Sequence, residues 1–262
     1  MAQYELFAYI YDELMDDVDY KLWVNHIEKI FEINNKRPDS ILELACGTGN
    51  ITTEMNRRGY DIVGLDISEE MLEVAYLKNV EEGRSIKYIL QNMVDLDYSR
   101  KTDAILCMCD GFNYITEKED LKTIFEKVYD ILDEDGVFTF DISSYHKIKN
   151  ILGNNFMVDK RDDINSMWIN TYDDESKLVE MDLTFFVSLD YFSDEYEIED
   201  EDFSEEKLYK KFEETHIQRA YKEDEIIEIL TSVGFREIKA YGDFTFDSPK
   251  KDSERIFFSA RK

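Results

Sequence analysis

Short apolar segments alternate with amphipathic ones between residues 40 and 142, and this alternation predicts a parallel sheet covered on both faces by helices. The predicted strands cover residues 41–45, 61–66, 86–90, 103–109 and 137–142. The segments between them carry apolar residues at helical spacing, most clearly from Leu121 to Leu132. This part of the chain therefore has the pattern of an α/β protein.

Residue types at the ends of the predicted helices agree with this assignment. Ser68 is a favourable N-cap, and Gly83 is suited to end the same helix in the left-handed conformation. Thr116 and Glu119 have the spacing of a capping box at the start of the next helix. Asp135-Gly136 predicts a turn into the following strand.

The pattern changes between residues 145 and 221. Residues 179–189 alternate strictly between apolar and polar side chains, as in a half-buried antiparallel strand, and a second strand is predicted near 207–221. The acidic segment 190–206 between them is predicted to be an exposed hairpin tip or a mobile loop. Residues 145–221 are therefore expected to form a β insertion.

Helical and strand patterns also occur on either side of this region. Aromatic and aliphatic residues at helical spacing predict an N-terminal helical cap, and a helix at 223–233 precedes strands at 235–241 and 255–261. The expected organisation is a cap at 1–36, a core formed by 37–144 and 222–262, and the insertion at 145–221, which we interpret as a substrate lid.

Composition and charge restrict the possible partners. The 262 residues are 43% apolar, which suffices for a packed core, and 60 acidic against 31 basic residues give a formal charge of −29. Such a charge repels phosphate backbones, so nucleic acid is not an expected partner. With no signal-like N-terminus and no apolar run long enough for a bilayer, we expect a cytoplasmic protein without a membrane partner. Nothing indicates an oligomeric state.

The three cysteines do not indicate a metal or disulfide framework. Cys107 and Cys109 lie two positions apart, but Cys46 is distant, and this set does not form a tetrahedral zinc site. We interpret all three as reduced thiols, with Cys109 as a candidate for the wall of a cofactor pocket.

The stretch from Ile41 to Asn50 carries the strongest chemical signal. It is an apolar strand that leads into Gly47 and Gly49, where a tight turn allows the backbone to approach a ligand closely. A dinucleotide fingerprint would have a third Gly or Ala where this chain has Thr52. The pattern therefore favours a cofactor built from adenosine and an amino acid, namely S-adenosylmethionine.

Two motifs resemble those of class I methyltransferases. Glu43 to Gly49 resembles their first motif, and Leu65 to Leu72 resembles the ribose-binding motif that follows it. A carboxylate at Asp66 is suited to accept hydrogen bonds from both ribose hydroxyls. Asn92 and Met93, after the third strand, are expected beside the adenine.

Asp110 follows from the rule that ligands of open parallel sheets bind beyond the carboxyl ends of the strands, whereas His216 and Arg219 are candidates on the strand predicted near 207–221. Asp110 ends the fourth strand and is expected to contact either the amino group of the cofactor or the acceptor. His216 is the best available general base, because imidazole exchanges protons near neutral pH, and a structural role is the alternative. Arg219 either pairs with a carboxylate or binds an anionic substrate.

More specific stretches resemble the YqeM-type bacterial methyltransferases over nearly the whole chain. They are Tyr4–Met15, Cys109–Tyr114, Thr184–Val187, Glu214–Arg219 and Ser253–Phe258. The resemblance implies a Rossmann-like seven-stranded sheet, mostly parallel with its last strand antiparallel, and a β insertion over the active site. It also implies that an N-terminal tyrosine, here Tyr11, reaches the methionine end of the cofactor. The acidic segment is longer than in those relatives.

The candidate site residues fall into three sets. The catalytic candidates are His216 and Asp110. The cofactor-binding candidates are Tyr11, Trp23, Glu43, Ala45, Cys46, Gly47, Gly49, Asp66, Ile67, Met71, Asn92, Met93, Cys109 and Asp110. The substrate-binding candidates are Asn113, Tyr114, Tyr145 and Arg219. Met71 is expected either to flank the adenosine or to belong to the core.

The predicted function is transfer of a methyl group from S-adenosylmethionine to a small molecule by in-line displacement, with S-adenosylhomocysteine as the product. The proline-containing loop of base methyltransferases is absent, since the chain has only Pro38 and Pro249. The alternative is a cofactor-binding regulatory or scaffold protein without turnover. A nucleotide-dependent oxidoreductase is disfavoured by Thr52. The sequence does not identify the acceptor or its reactive atom.

Overall fold

The computed structural model describes residues 6–192 and 207–262. Its helices are α1 (Phe7–Leu14), α2 (Tyr20–Ile33), α3 (Asn50–Arg57), α4 (Glu69–Glu81), α5 (Lys118–Ile131) and α6 (Glu223–Val233). Its strands are β1 (Ser40–Leu44), β2 (Asp61–Asp66), β3 (Lys87–Leu90), β4 (Thr102–Cys107), β5 (Leu132–Ser143), β6 (Phe156–Lys160), β7 (Ile164–Asp173), β8 (Leu178–Ser188), β9 (Tyr209–Arg219), β10 (Arg236–Gly242) and β11 (Arg255–Arg261). Short helical turns cover Met93–Asp95, Gly111–Tyr114, Lys147–Leu152 and Leu189–Phe192.

The larger sheet has seven strands in the order β10-β11-β5-β4-β1-β2-β3. Its inner strands are parallel, and β11 runs antiparallel to both β5 and β10. This confirms the predicted Rossmann-like sheet. Strand order reverses between β1 and β4, and ligands bind at such a reversal in open α/β sheets.

Helices cover both faces of this sheet because its strands are apolar on both sides. Ile41 and Leu42 are consecutive residues of β1 and are 2% and 0% exposed. Ile41 belongs to a buried cluster with Ile27 of α2, and Leu42 to a different cluster with Phe125 of α5. Successive side chains of a strand point to opposite faces, so each face has its own layer of helices.

The second sheet is antiparallel and has the strand order β6-β7-β8-β9. The alternation in the sequence predicted the strands observed as β8 and β9 but missed β6 and β7. In β7 the polar residues Ser166 and Asn170 occupy buried positions, which breaks the apolar alternation. The predicted conformation of segment 190–206 falls mainly on residues 193–206, outside the described residues.

Two local predictions around α5 were wrong. The helix begins at Lys118 without a side-chain cap, and Thr116 instead offers its carbonyl to the guanidinium of Arg219. Strand β5 begins at Leu132 rather than at residue 137, although residues 133–136 bulge out of register with β4. Asp135 has a left-handed backbone in this bulge, so the expected turn lies within the strand.

The N-terminal helix α1 packs between the small sheet and α4. Phe7 is 3% exposed and its ring lies 5.3 Å from that of Phe185 in β8. Ile10 is fully buried in the same cluster, which also contains Met71 of α4. Helix α1 therefore links the small sheet to α4, which covers the large sheet. Within the described residues, no helix is long and apolar enough to cross a membrane.

Candidate functional site

The glycine loop after β1 turns sharply because alternate residues have left-handed backbone conformations. Ala45, Gly47 and Gly49 have φ angles of 51°, 53° and 75°. A β-carbon at Gly49 would lie 2.4 Å from the hydroxyl oxygen of Tyr88, so close packing also requires glycine here. At Gly47 a β-carbon would meet nothing within 4 Å. The loop therefore packs tightly at Gly49 and leaves space for a ligand at Gly47.

Asp66 ends β2 and faces this loop. One carboxylate oxygen accepts a hydrogen bond from the backbone N–H of Gly47 at 2.8 Å, and the other accepts one from Ser68 at 2.9 Å. Burial raises the pKa of Asp66, although these backbone N–H groups oppose the rise. Each carboxylate oxygen retains a second acceptor site, so Asp66 has room for two further hydroxyl donors.

Glu43 of β1 is a second buried carboxyl, only 2% exposed. Burial raises its pKa to about 8, the hydrogen bond donated by the hydroxyl of Thr52 opposes this, and the charge of Asp66 adds to it. Glu43 is therefore mostly protonated at neutral pH. Thr52, which stands where a dinucleotide motif would have glycine, holds the Glu43 side chain in place.

Asn92 follows β3 at the predicted adenine position. Its side-chain oxygen accepts a hydrogen bond from the backbone N–H of Val94 at 2.9 Å, which begins the turn that contains Met93. On the neighbouring strand end, Ile67 is 62% exposed, whereas Met71 is 4% exposed. Met71 belongs to a buried cluster and also lines the cavity described below.

Asp110, after β4, is held from three directions. Its oxygens accept hydrogen bonds from Arg255 of β11 at 2.9 Å and from the amide of Gln218 of β9 at 3.0 Å. Its backbone N–H donates to Asp141 of β5, which also pairs with Arg255. The guanidinium of Arg255 lies 4.9 Å from the ring centre of Trp23. This cluster joins the large sheet, the small sheet and α2.

The charges of this cluster determine its protonation. Burial would raise the pKa of Asp110, but the positive charges of Arg255 and Lys147 lower it below its usual value. Asp141 is fully buried, and burial raises its pKa to about 6 although Arg255 opposes the rise. Asp110 is therefore ionised at neutral pH and already paired with a cation. Cys109 and Asp110 both have left-handed backbones, an arrangement typical of functional loops.

His216 of β9 lies in a chain of polar groups. Its ring nitrogens are 3.1 Å from the hydroxyl of Tyr114 and 3.1 Å from a carboxylate oxygen of Glu214. A carboxylate only accepts, so Nε2 of His216 donates to Glu214, and Nδ1 is left to accept from Tyr114. The two contacts fix the orientation of the imidazole, with Nδ1 facing the hydroxyl of Tyr114.

A cavity of about 550 Å³ lies between the glycine loop and the small sheet. Most of the predicted site residues line it. They are Tyr11, Trp23, Glu43, Ala45, Cys46, Gly47, Asp66, Ile67, Met71, Asn92, Met93, Cys109, Asp110, Tyr114 and His216. The structure thus brings residues from distant parts of the chain to one space.

Four predicted site residues lie away from the cavity wall. Gly49, in the loop itself, faces Tyr88 and Ala75. Asn113 is fully buried, where its amide donates to the carbonyls of Ser143 and Arg219 at 3.1 and 2.9 Å. The side chain of Arg219 is directed to the Thr116 carbonyl, and Tyr145 lies beneath two lysine ammonium groups. Asn113 thus joins β5 to β9, and Arg219 joins β9 to the segment before α5.

Sequence reasoning missed several residues of the cavity wall. They include Tyr20, Lys147, Trp168, Met181, Gln218 and Arg255. Arg255 had a usable signal, because the first residue of an antiparallel strand lies at the edge where the parallel strands end. Lys147 follows the carboxyl end of β5 by four positions. Trp168 could not be placed because β7 was not predicted.

Comparison with known proteins identifies relatives over the full chain. A family model described as a methyltransferase domain matches residues 41–136. The chain is 32% identical to the methyltransferase-family protein YqeM of Bacillus subtilis (strain 168), covering 99% of this chain and 97% of YqeM. It is 31% identical to a methyltransferase-family protein of Geobacillus sp. (strain WCH70), covering 99% of each. A crystal structure of an S-adenosylmethionine-dependent methyltransferase from Clostridium acetobutylicum ATCC 824 is 36% identical over 98% of each chain, with a TM-score of 0.83.

Proposed function

Because this chain belongs to the YqeM-type family of S-adenosylmethionine-dependent methyltransferases, we propose that it methylates a small-molecule acceptor by in-line displacement. The observation that supports this best is the cavity between the glycine loop and the small sheet. Its volume of about 550 Å³ falls within the roughly 300–1,000 Å³ usual for small-molecule sites. The formal charge of −29 makes a nucleic-acid acceptor unfavourable.

The residues present fit the cofactor. Open space at Gly47 allows a ligand to approach the loop, and the unused acceptor sites of Asp66 suit the two hydroxyls of a ribose. In this proposal Asn92 and Met93 contact the adenine, while Tyr11 and Cys109 flank the methionine portion. S-adenosylmethionine supplies an activated sulfonium methyl group, which the acceptor atom attacks opposite the departing sulfur.

The polar chain of Tyr114, His216 and Glu214 is proposed to take up the proton of the acceptor. The imidazole of His216 accepts through Nδ1, and Glu214 stabilises the imidazolium that results. In this proposal Tyr114, which lines the cavity, gives its hydroxyl proton to Nδ1 and takes the proton of the acceptor in its place. Most of the rate enhancement comes from alignment, which is worth on the order of 7–11 kcal/mol in well-oriented reactions.

We assign residues 145–221 as the lid that holds the acceptor. They contribute Lys147, Trp168, Met181 and His216 to the cavity, while the core of 37–144 and 222–262 supplies the glycine loop and Asp66. The cap of residues 1–36 adds Tyr11 and Trp23. The acceptor is thus enclosed by the insertion, and the cofactor by the core.

Calorimetry with S-adenosylmethionine tests whether the protein binds this cofactor and whether Asp66 contributes to binding. Asp66→Ala should weaken binding by about 10-fold to 100-fold, because it removes a carboxylate that accepts hydrogen bonds from ligand and loop. Asp61→Ala is the matched control, since Asp61 begins the same strand and pairs with Arg100 at an exposed site. Equal affinity of wild type and Asp66→Ala would refute the ribose assignment.

A further inference from the structure

We propose that the methyl acceptor carries an anionic group, a carboxylate or a phosphate, and that Lys147 binds this group at the cavity wall. The inference rests on the proposed function, because it names the chemical class of that acceptor. Beyond the proposed function, the inference names a contact between the insertion and the acceptor.

Most acidic and basic side chains of the cavity wall are held by other groups of the protein. The charged residue types on its wall are Glu43, Asp66, Asp110, Lys147 and Arg255. Glu43 is held by Thr52, Asp66 by two backbone N–H groups, and Asp110 by Arg255. Four of these five acidic or basic side chains therefore already have partners within the protein, and the Glu43 carboxyl is mostly neutral.

Lys147 differs from these groups. It is half-buried at the start of the short turn after β5. Its charge acts on Asp110 from beyond ion-pair distance, but no carboxylate of the described residues forms an ion pair with its ammonium group. By contrast, Lys149 pairs with Asp174, and Lys177 pairs with Glu225. In a chain with 60 acidic and 31 basic residues, such a cation on a cavity wall indicates an anion supplied by a ligand.

The position of Lys147 assigns this anion to the acceptor. Lys147 belongs to the insertion, as do Leu152, Trp168 and Met181, which give the same cavity an apolar wall. The hydroxyl of Tyr114 and the imidazole of His216 provide the polar groups nearby. The wall thus fits a molecule with an apolar body, one anionic group and a nucleophilic atom. The carboxylate of the cofactor itself is the alternative source of the anion.

A panel of matched acceptors distinguishes these sources. It consists of small aromatic carboxylic acids, the corresponding phosphate monoesters and the corresponding neutral carboxamides, each carrying an amine, hydroxyl or thiol. Wild-type protein saturated with S-adenosylmethionine is expected to release S-adenosylhomocysteine with members of the acid or phosphate set and not with their amides.

Substitutions of Lys147 then test whether this side chain binds the anionic group of the acceptor. Lys147→Gln should lower kcat/KM for the active acid by at least about tenfold, while the Kd for S-adenosylmethionine changes by less than about twofold. Lys147→Arg should recover most of the activity. Lys149→Gln is the control, because Lys149 lies two positions further on and pairs with Asp174. Circular dichroism would verify that each variant is folded.

Several outcomes would overturn the inference. Equal turnover of acids and amides, or no turnover of any acid or phosphate by protein that binds S-adenosylmethionine, excludes an anionic acceptor. Equal loss of cofactor affinity and of activity in Lys147→Gln would assign the lysine to the cofactor carboxylate. Failure of wild type to bind S-adenosylmethionine would instead refute the proposed function, and this inference with it.

Discussion

At the scale of single residues, Glu43 connects the cofactor site to the stability of the protein. Its pKa in the folded protein is about 8 against an ordinary value of 4.5, because the carboxyl is buried. The folded state therefore binds more protons than the unfolded state between about pH 4.5 and pH 8. Stability contributed by this group is lost as the pH rises through that window.

Glu43→Gln removes this titration while keeping the shape of the side chain. The free energy of unfolding of wild type relative to the variant should fall with increasing pH, by at most about 1.4 kcal/mol per pH unit. Urea unfolding of both proteins at four pH values between 5 and 8 gives the difference between their free energies of unfolding. Asp141 is present in both proteins, so its contribution to the pH dependence cancels in this difference. Parallel stability curves would show that Glu43 does not titrate in this range.

Residues of the site differ in how far the sequence could predict them. Gly47 and Asp66 were predicted because their signal is local, in a strand, a turn and the following strand. Arg255 and Lys147 were not, because they reach the cavity only through the pairing of β11 with β5 and through the path of the insertion. Asn113 was placed on the correct loop, but the direction of its side chain depends on packing.

At the scale of elements, Asn113 joins the insertion to the core. It donates to the carbonyls of Ser143 and Arg219, and its oxygen accepts from the backbone N–H of Ser143 at 3.0 Å. Asn113→Ala would leave three backbone groups without a partner and should reduce the free energy of unfolding by about 2–4 kcal/mol. Chemical denaturation measures this loss, with exposed Asn150→Ala as a control expected to change stability by less than about 0.5 kcal/mol. A small effect at Asn113 would mean that water replaces the amide.

Besides its buried apolar side chains, helix α1 contacts the core through the polar side chain of Asp12. The carboxylate of Asp12 accepts hydrogen bonds from Thr48, Asn50 and Lys78 at 2.7, 2.8 and 2.6 Å. Because these groups are partly exposed, Asp12→Ala should ease opening of α1 by only about 1 kcal/mol. Amide hydrogen exchange in residues 7–14 should then become about fivefold faster.

A control variant and a control helix distinguish local opening of α1 from global unfolding. Asp16→Ala removes an exposed pair with Arg161 just beyond the helix and should leave the exchange of α1 nearly unchanged. Exchange in α5, on the far side of the sheet, should be the same in all three proteins. Uniform acceleration throughout the chain would indicate global destabilisation rather than opening of α1.

The elements themselves were predictable where their hydrophobic pattern is regular. The core strands and α6 have uninterrupted apolar runs or clear helical spacing, and the structure contains them within a few residues. Strand β6 is exposed and β7 has buried polar residues, so neither shows the pattern of a half-buried strand. Pairing with β8 stabilises β7, and that contact is not visible in the local sequence.

At the scale of the whole molecule, the formal charge of −29 should oppose folding through repulsion among like charges. Raising the salt concentration from about 20 mM to about 500 mM shortens the Debye length from about 20 Å to about 4 Å. The urea midpoint at pH 7 should therefore rise. Near the isoelectric point of about 4.4 the same salt change should have little effect, and a rise of equal size there would exclude charge screening as its cause.

The pairing of β5 with β11 has a consequence for the order of folding. Successive strands β6 to β9 pair with their neighbours along the chain, whereas Val137 pairs with Arg261 across the entire insertion. Contacts between distant residues form slowly because a long loop must close first. The small sheet is thus expected to assemble early and the β5–β11 pairing late. Arg255 is on β11, so its guanidinium reaches Asp110 only when this late pairing forms. The glycine loop, which lies early in the chain, would form well before that step. The ability to bind S-adenosylmethionine would therefore be acquired last.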